Sequence, residues 1–251
     1  MFICVTAYND YLLSQNRISS IPGSLSGVRI DSFISSVFSG HPDLLSRLSQ
    51  ISLFFNNFLN ISFYTDGSLI APQSSRASMG LGLVALDSSN SPLSVFKAAA
   101  KQFCSSMKAE ALSLLSALSV CPVSCVVCIY TDSQGCIDIF NKLFSSSHSL
   151  RRHLRLKNFL IWSLIKHVIT VRSLGVKLIK VRAHSNNEFN DEADRLAKEG
   201  ARSGLFLSVN RILPTLPTAN LVWTLPDSSK LVVDQNARSI VKNIQQNIQF
   251  S

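Results

Sequence analysis

Two nearly identical words recur along the chain, Tyr64-Thr65-Asp66-Gly67-Ser68 and Tyr130-Thr131-Asp132-Ser133. Each follows an apolar, strand-like run, Ile61-Ser62-Phe63 in one case and Cys128-Ile129 in the other. Each therefore reads as a strand that delivers an aspartate where the pattern expects another half-buried residue. Asp66 is read as ending its strand against a tight turn. If the two strands are neighbours, they aim two carboxylates at one place, which is costly unless a cation lies between them.

The remaining elements form a pattern around these two words. Strands are expected at about 61–69, 79–86 and 93–98, with Asp87 to Pro92 as the hairpin turn between the last two. A helix follows at about 105–119, then a strand at 125–131, a helix at 133–144, a long apolar helix at 151–173, a strand at 176–181 and a helix at 188–202. Three meandering strands followed by alternating helices and strands describe an α/β protein with a five-stranded mixed sheet flanked by helices. Residues 1–60 read as a serine-rich extension in which Asp31 caps a short helix and Pro42 opens a longer one reaching about Asn60. Residues 204–251, with Pro214, Pro217, Pro226 and a polar helix near 234–248, read as a tail.

Charge and cysteine usage narrow the function classes. The 251 residues carry a net charge of +9, of which residues 61–203 hold +7, seventeen Lys/Arg against ten Asp/Glu. A basic segment with an acidic focus is the combination expected for a polyanionic partner and a bound metal. The N-terminus lacks a basic, apolar leader, and the longest apolar stretch, Phe159 to Val171, is interrupted by Lys166 and His167. An intracellular protein of cytoplasm or nucleus, with reduced thiols and no membrane span, is expected. Cys121, Cys125 and Cys128 are spaced unsuitably for a shared zinc, because Cys125 and Cys128 point to opposite faces of one strand.

Further carboxylates stand out by position. Glu110 falls inside the apolar stripe Met107, Ala111, Leu114, Leu118, where a charge needs a partner. Asp194 shares a helix face with Asn190, Ala197 and Ala201, and His184 lies in the loop leaving the last strand. Asp66, Glu110, Asp132 and Asp194 gathered at one end of a sheet would repel one another. Oxygen-only donors select Mg²⁺ or Mn²⁺ over zinc. Two such ions about 3.5–4 Å apart suit in-line phosphoryl displacement.

With these residues in place the chain resembles the type 1 ribonuclease H family. The resemblance rests on Thr65-Asp66-Gly67-Ser68, Lys108-Ala109-Glu110-Ala111, Tyr130-Thr131-Asp132-Ser133-Gln134-Gly135, and His184 through Asn190 to Asp194-x-Leu196-Ala197, and covers about residues 60–203. It implies a ribonuclease H-like fold and metal-dependent cleavage of the RNA strand of an RNA–DNA hybrid. Asp66, Glu110, Asp132 and Asp194 would hold two Mg²⁺ ions, or Mn²⁺, and His184 would assist proton transfer or product release. Gly67, Ser68, Ser133, Gln134 and Asn190 would meet the hybrid, with Arg151, Arg152 and Arg155 on its phosphates. The late start of the domain resembles a monomeric or polyprotein-borne retroelement ribonuclease H. The alternative is a decayed copy that binds hybrid or double-stranded RNA without cutting, and the intact carboxylate set favours the enzyme. The chain departs from the family at Ile70 to Ser74, where a glycine-rich turn is common, and at Ser106 and Met107, where asparagines are frequent.

Overall fold

A computed structural model describes residues 30–72, 77–101, 103–145, 153, 155–182 and 187–210, and the backbone of two short strands at 222–224 and 230–232. The described chain begins with α1 (Ser32–Val37), whose N-cap Asp31 accepts a hydrogen bond from the Phe33 amide at 2.8 Å, as the sequence leads one to expect. Next come β1 (Phe38–Gly40) and α2 (Pro42–Phe54), the latter with proline in its first turn. That helix stops short of the expected Asn60. Phe55 turns inward to meet the rings of Phe58 and Phe63 at 5.6 and 6.1 Å, and Asn60 is already paired with Val126 in the sheet.

The central sheet follows. It is built from β2 (Asn60–Ile70), β3 (Ser78–Leu86), β4 (Pro92–Ala100), β5 (Val126–Thr131) and β6 (Gly175–Lys180), in the order β4-β3-β2-β5-β6. β2, β3 and β4 are mutually antiparallel, and β5 and β6 extend the sheet in parallel from β2. This is the five-stranded mixed sheet expected from the pattern. In the β3–β4 hairpin the Asp87 carboxylate accepts from the amides of Ser89 and Ser91, each at 2.8 Å.

Helices cover both faces: the crossovers between parallel strands share one core on one face, and the helix that follows the last strand of the sheet covers the other. The connections are α3 (Ser106–Ser119), between β4 and β5, and then α4 (Gln134–Leu143) and α5 (Phe159–Val171), between β5 and β6. α5 begins later than the expected residue 151. Asn158 sits at its N-cap with φ of 60°, a left-handed backbone that a right-handed helix cannot include. The last helix, α6 (Glu188–Arg202), has the expected bounds. Alternation along β2 sends Ile61 and Phe63 into one core with Leu114, Leu118 and Trp162, and sends Tyr64 into a second core with Ala193 and Leu196 of α6. α6 lies close on the sheet because β3 has no side chain at Gly82, where a Cβ would stand 2.3 Å from the Ala193 carbonyl oxygen.

Ile34, Val37, Leu48, Ile51 and Phe55 belong to the same apolar core as the sheet residues. β1 also pairs antiparallel with β7 (Leu207–Val209), and the Asn210 amide donates to the Val37 carbonyl at 2.7 Å. Residues on both sides of the central segment thus share one structure with it. β8 (Val222–Thr224) and β9 (Lys230–Val232) form an antiparallel pair that the proline-rich sequence does not announce, and the helix expected near 234–248 lies outside the described residues. Cys121 and Cys125 are buried and Cys128 is half-buried, all three as free thiols. Among the described residues, no helix is long and apolar enough to cross a membrane.

Candidate active site

The doubled Tyr-Thr-Asp words lie side by side. β2 and β5 pair in parallel with Tyr64 opposite Tyr130, so two residues further on Asp66 and Asp132 leave neighbouring strands at the same level. The two tyrosine rings stack at 4.6 Å with planes 12° apart, and Phe189 of α6 adds a third ring 5.6 Å from Tyr64. Asn187, which caps α6 by accepting from the Asn190 amide at 3.1 Å, donates its side-chain amide to the Tyr64 hydroxyl at 3.3 Å. The strands that carry the aspartates and the start of the helix that carries Asp194 are thereby tied together beneath the site. Nothing but the repeated tyrosine hinted at this in the sequence.

Glu110 approaches from the opposite layer. It lies in the first turns of α3, whose N-cap Ser105 accepts from the Lys108 amide at 3.2 Å. Gly67 lets it reach the aspartates, because a Cβ there would stand 2.2 Å from the Glu110 backbone nitrogen. The expected tight turn at Asp66 and Gly67 is absent. β2 runs on to Ile70, because Asp66 and Gly67 stay in the ladder opposite Gly82 and Leu81.

Each of Asp66, Glu110 and Asp132 offers a carboxylate oxygen within 4.8 Å of the others. Asp66 is buried and the other two are half-buried. Burial pushes Asp66 up from its ordinary 3.8 to about 7, with help from the charges of Asp132 and Asp194 and opposition from the Gly67 amide and Lys198. Burial likewise raises Glu110 well above its usual range, reinforced by Asp66 and Asp132 and resisted by the Gly67 amide and Lys180. The Glu110 Oε2 atom is buried with no hydrogen-bond partner. Oxygen-only donors, mutual repulsion and an unsatisfied buried carboxylate oxygen together fit a divalent cation.

The expectation that all four carboxylates converge is met by these three. Asp194 is near enough for its charge to act on Asp66, but its own carboxylate pairs with Lys198 at 2.6 Å, one helical turn along α6. The sequence pattern gave no sign of Lys180, at the end of β6, whose ammonium donates to the Asp132 main-chain carbonyl.

The structure spreads the expected substrate-binding residues over several environments. Gly67 and Ser68 are half-buried in β2. The Ser133 hydroxyl caps α4 by accepting from the Cys136 amide at 3.4 Å, and the exposed Gln134 side chain donates to Asp138 at 2.9 Å. Asn190, expected on the same face of α6 as Ala197 and Ala201, is buried with them in the first turn of the helix. Met107 fills the space beside Gly135 and lies 3.7 Å, sulfur to sulfur, from Cys136. Arg155 is exposed, and His184, Arg151 and Arg152 lie outside the described residues.

The chain has relatives among known proteins. Residues 59–202 match the family model described as RNase H. A ribonuclease H of Wolbachia sp. from Drosophila simulans is 29% identical over 96 residues, which are 37% of this chain and 65% of that protein. One from Clostridium botulinum is 30% identical over 95 residues, 36% of this chain and 62% of the relative. The chain thus spans less than two thirds of the length of these relatives. Among solved structures, the ribonuclease H1 of the halophilic archaeon Halobacterium salinarum covers 57% of this chain and 98% of its own, at 16% identity and a TM-score of 0.43. Because the family model matches more than half of the sequence, and does so across the segment that carries the carboxylates, the chain belongs to the RNase H family.

Proposed function

We propose that this protein is an endonuclease that hydrolyses the RNA strand of RNA–DNA hybrids with the help of divalent cations, two Mg²⁺ ions in the working enzyme. The observation that carries this reading is the convergence of Asp66, Glu110 and Asp132 within 4.8 Å around a buried, unpartnered Glu110 oxygen. When bound, such ions activate water and neutralise charge on the phosphate that is cut. Asp66 and Asp132 hold them from adjacent strands, Glu110 closes the set from α3, and Asp194 completes it from α6. His184 assists proton transfer or product release. Ser133, Gln134, Gly67 and Ser68 line the approach to the minor groove, where the 2′-hydroxyl distinguishes RNA from DNA. Arg155, with Arg151 and Arg152, meets phosphates further along the duplex.

The purified chain, incubated in Mg²⁺ with end-labelled RNA–DNA, RNA–RNA and DNA–DNA duplexes, should cut only the RNA strand of the hybrid. The Asp66→Asn variant should leave that strand intact. Tight hybrid binding without any cut by the wild type would instead identify a binding module.

A further inference from the structure

Two lysines flank the carboxylate cluster, and they are anchored differently. Lys198 pairs with the half-buried Asp194 four residues away along α6, an ordinary helical ion pair. Lys180 comes from a different strand. It ends β6 in register with Thr131, the residue before Asp132, and its ammonium donates to the Asp132 carbonyl. The partner is a carbonyl dipole, so the full positive charge is kept at the mouth of the site. It is close enough to Glu110 to draw that acid downward against burial and against Asp66 and Asp132.

We infer that Lys180 is a positioning residue of this site: a built-in cation that pins the end of β5 and steadies the crowded carboxylates while no metal is bound, and that competes with the incoming metal for them. The inference rests on the metal-dependent reading above. A fixed charge beside anionic groups stabilises them by Coulomb attraction, and the same charge repels a second cation entering the same space. The device therefore trades metal affinity for an ordered metal-free site. The long, exposed side chain is able to retain the carbonyl hydrogen bond while its field acts across the cluster.

The test uses the full chain and Mg²⁺ itself, with affinity measured by isothermal titration calorimetry and metal-free stability by thermal melting. Lys180→Met should bind Mg²⁺ about 5-fold more tightly than wild type at low salt and melt at a lower temperature without metal. Raising the salt should shrink both differences. Lys180→Arg keeps charge and donor and should restore both wild-type values, an outcome that a merely structural role for the aliphatic stem does not require. The affinity decides. Tighter binding by Lys180→Met together with restoration by Lys180→Arg supports the inference, and unchanged or weaker binding by Lys180→Met overturns it. If the wild type binds no Mg²⁺, the metal-dependent reading falls and this inference falls with it. If the wild type binds and Lys180→Met binds equally, only the role of Lys180 is lost.

Discussion

Gly67 and Glu110 touch backbone to backbone: a methyl group on Gly67 would stand 2.2 Å from the Glu110 amide nitrogen and 2.5 Å from the Ala109 carbonyl carbon. The absence of a side chain on one strand residue is thus what brings an acid from the helical layer to the two strand aspartates. Gly67→Ala should separate α3 from β2, because the groups it meets are main chain and have no rotamer to yield. Overpacking of this kind costs about 1–3 kcal/mol. We expect a lower denaturation midpoint, and a loss of hybrid cleavage larger than the fall in folded protein explains. Wild-type stability in this variant would show that the layers separate freely.

The protonation of Asp66 makes the metal-free protein sensitive to pH. Its folded pKa of about 7 lies above the ordinary 3.8, so the folded state binds the proton more tightly than the unfolded chain does. The stabilising contribution is complete below about pH 4 and is lost as pH rises through 7, at up to ~1.4 kcal/mol per pH unit. Glu110 is raised too and adds to the same trend. Urea melts of the metal-free chain at pH 5, 6, 7 and 8 should therefore show falling stability, and saturating Mg²⁺ should reverse the fall at pH 8. A stability that rises across this range would contradict the burial of these acids.

Asp66→Asn removes one of the repelling charges and with it the share of that pH dependence that Asp66 itself carries, while burial still raises Glu110. The variant should be more stable than wild type at pH 8 without metal, gain less from Mg²⁺, and show no hybrid cleavage. Unchanged cleavage would remove Asp66 from the catalytic set.

The Tyr64 hydroxyl accepts from Asn187 at 3.3 Å, while its ring stacks on Tyr130. Tyr64→Phe keeps the stack and loses only the hydrogen bond, so it should cost about 1 kcal/mol. Tyr130→Ala, which removes the stacked ring itself, should cost more. Chemical denaturation of the two variants side by side separates the contributions.

Neutralising Arg151, Arg152 and Arg155 together should weaken hybrid binding and reduce the steepness of its salt dependence by about one for each phosphate that is no longer neutralised. Binding titrations from low to moderate salt measure that slope. An unaltered slope would make these arginines a solvated surface.

Much of the fold was legible because its signals are local. Strand periodicity located β2 to β6, and α6 came out with its observed bounds since an asparagine cap, an amphipathic pattern and a terminal Arg202 all lie within one short window. The carboxylates were legible for a related reason. A charged residue on an apolar stripe, or at the end of an apolar strand, breaks the very pattern that defines its element. The short strands β1 and β7 were not legible, because each is three residues long and pairs with a segment far away in sequence. The start of α5 was misplaced because a left-handed Asn158 leaves apolar periodicity intact on both sides.

The order of the elements from β2 to α6 and the identity of the acids follow from residue types and their spacing, and the repeated Tyr-Thr-Asp words suggest, without fixing, that their strands are neighbours. Tertiary structure alone decided which acids meet. Asp66, Glu110 and Asp132 converge because Gly67 admits the α3 backbone, whereas Asp194 is held by Lys198 and Lys180 reaches in from the neighbouring strand. It also joined residues 32–55 to the core of the sheet. The physical reason is the same in each case: helix and strand propensities act over a few residues, while close approach and electrostatic coupling depend on distances that only the packed chain defines.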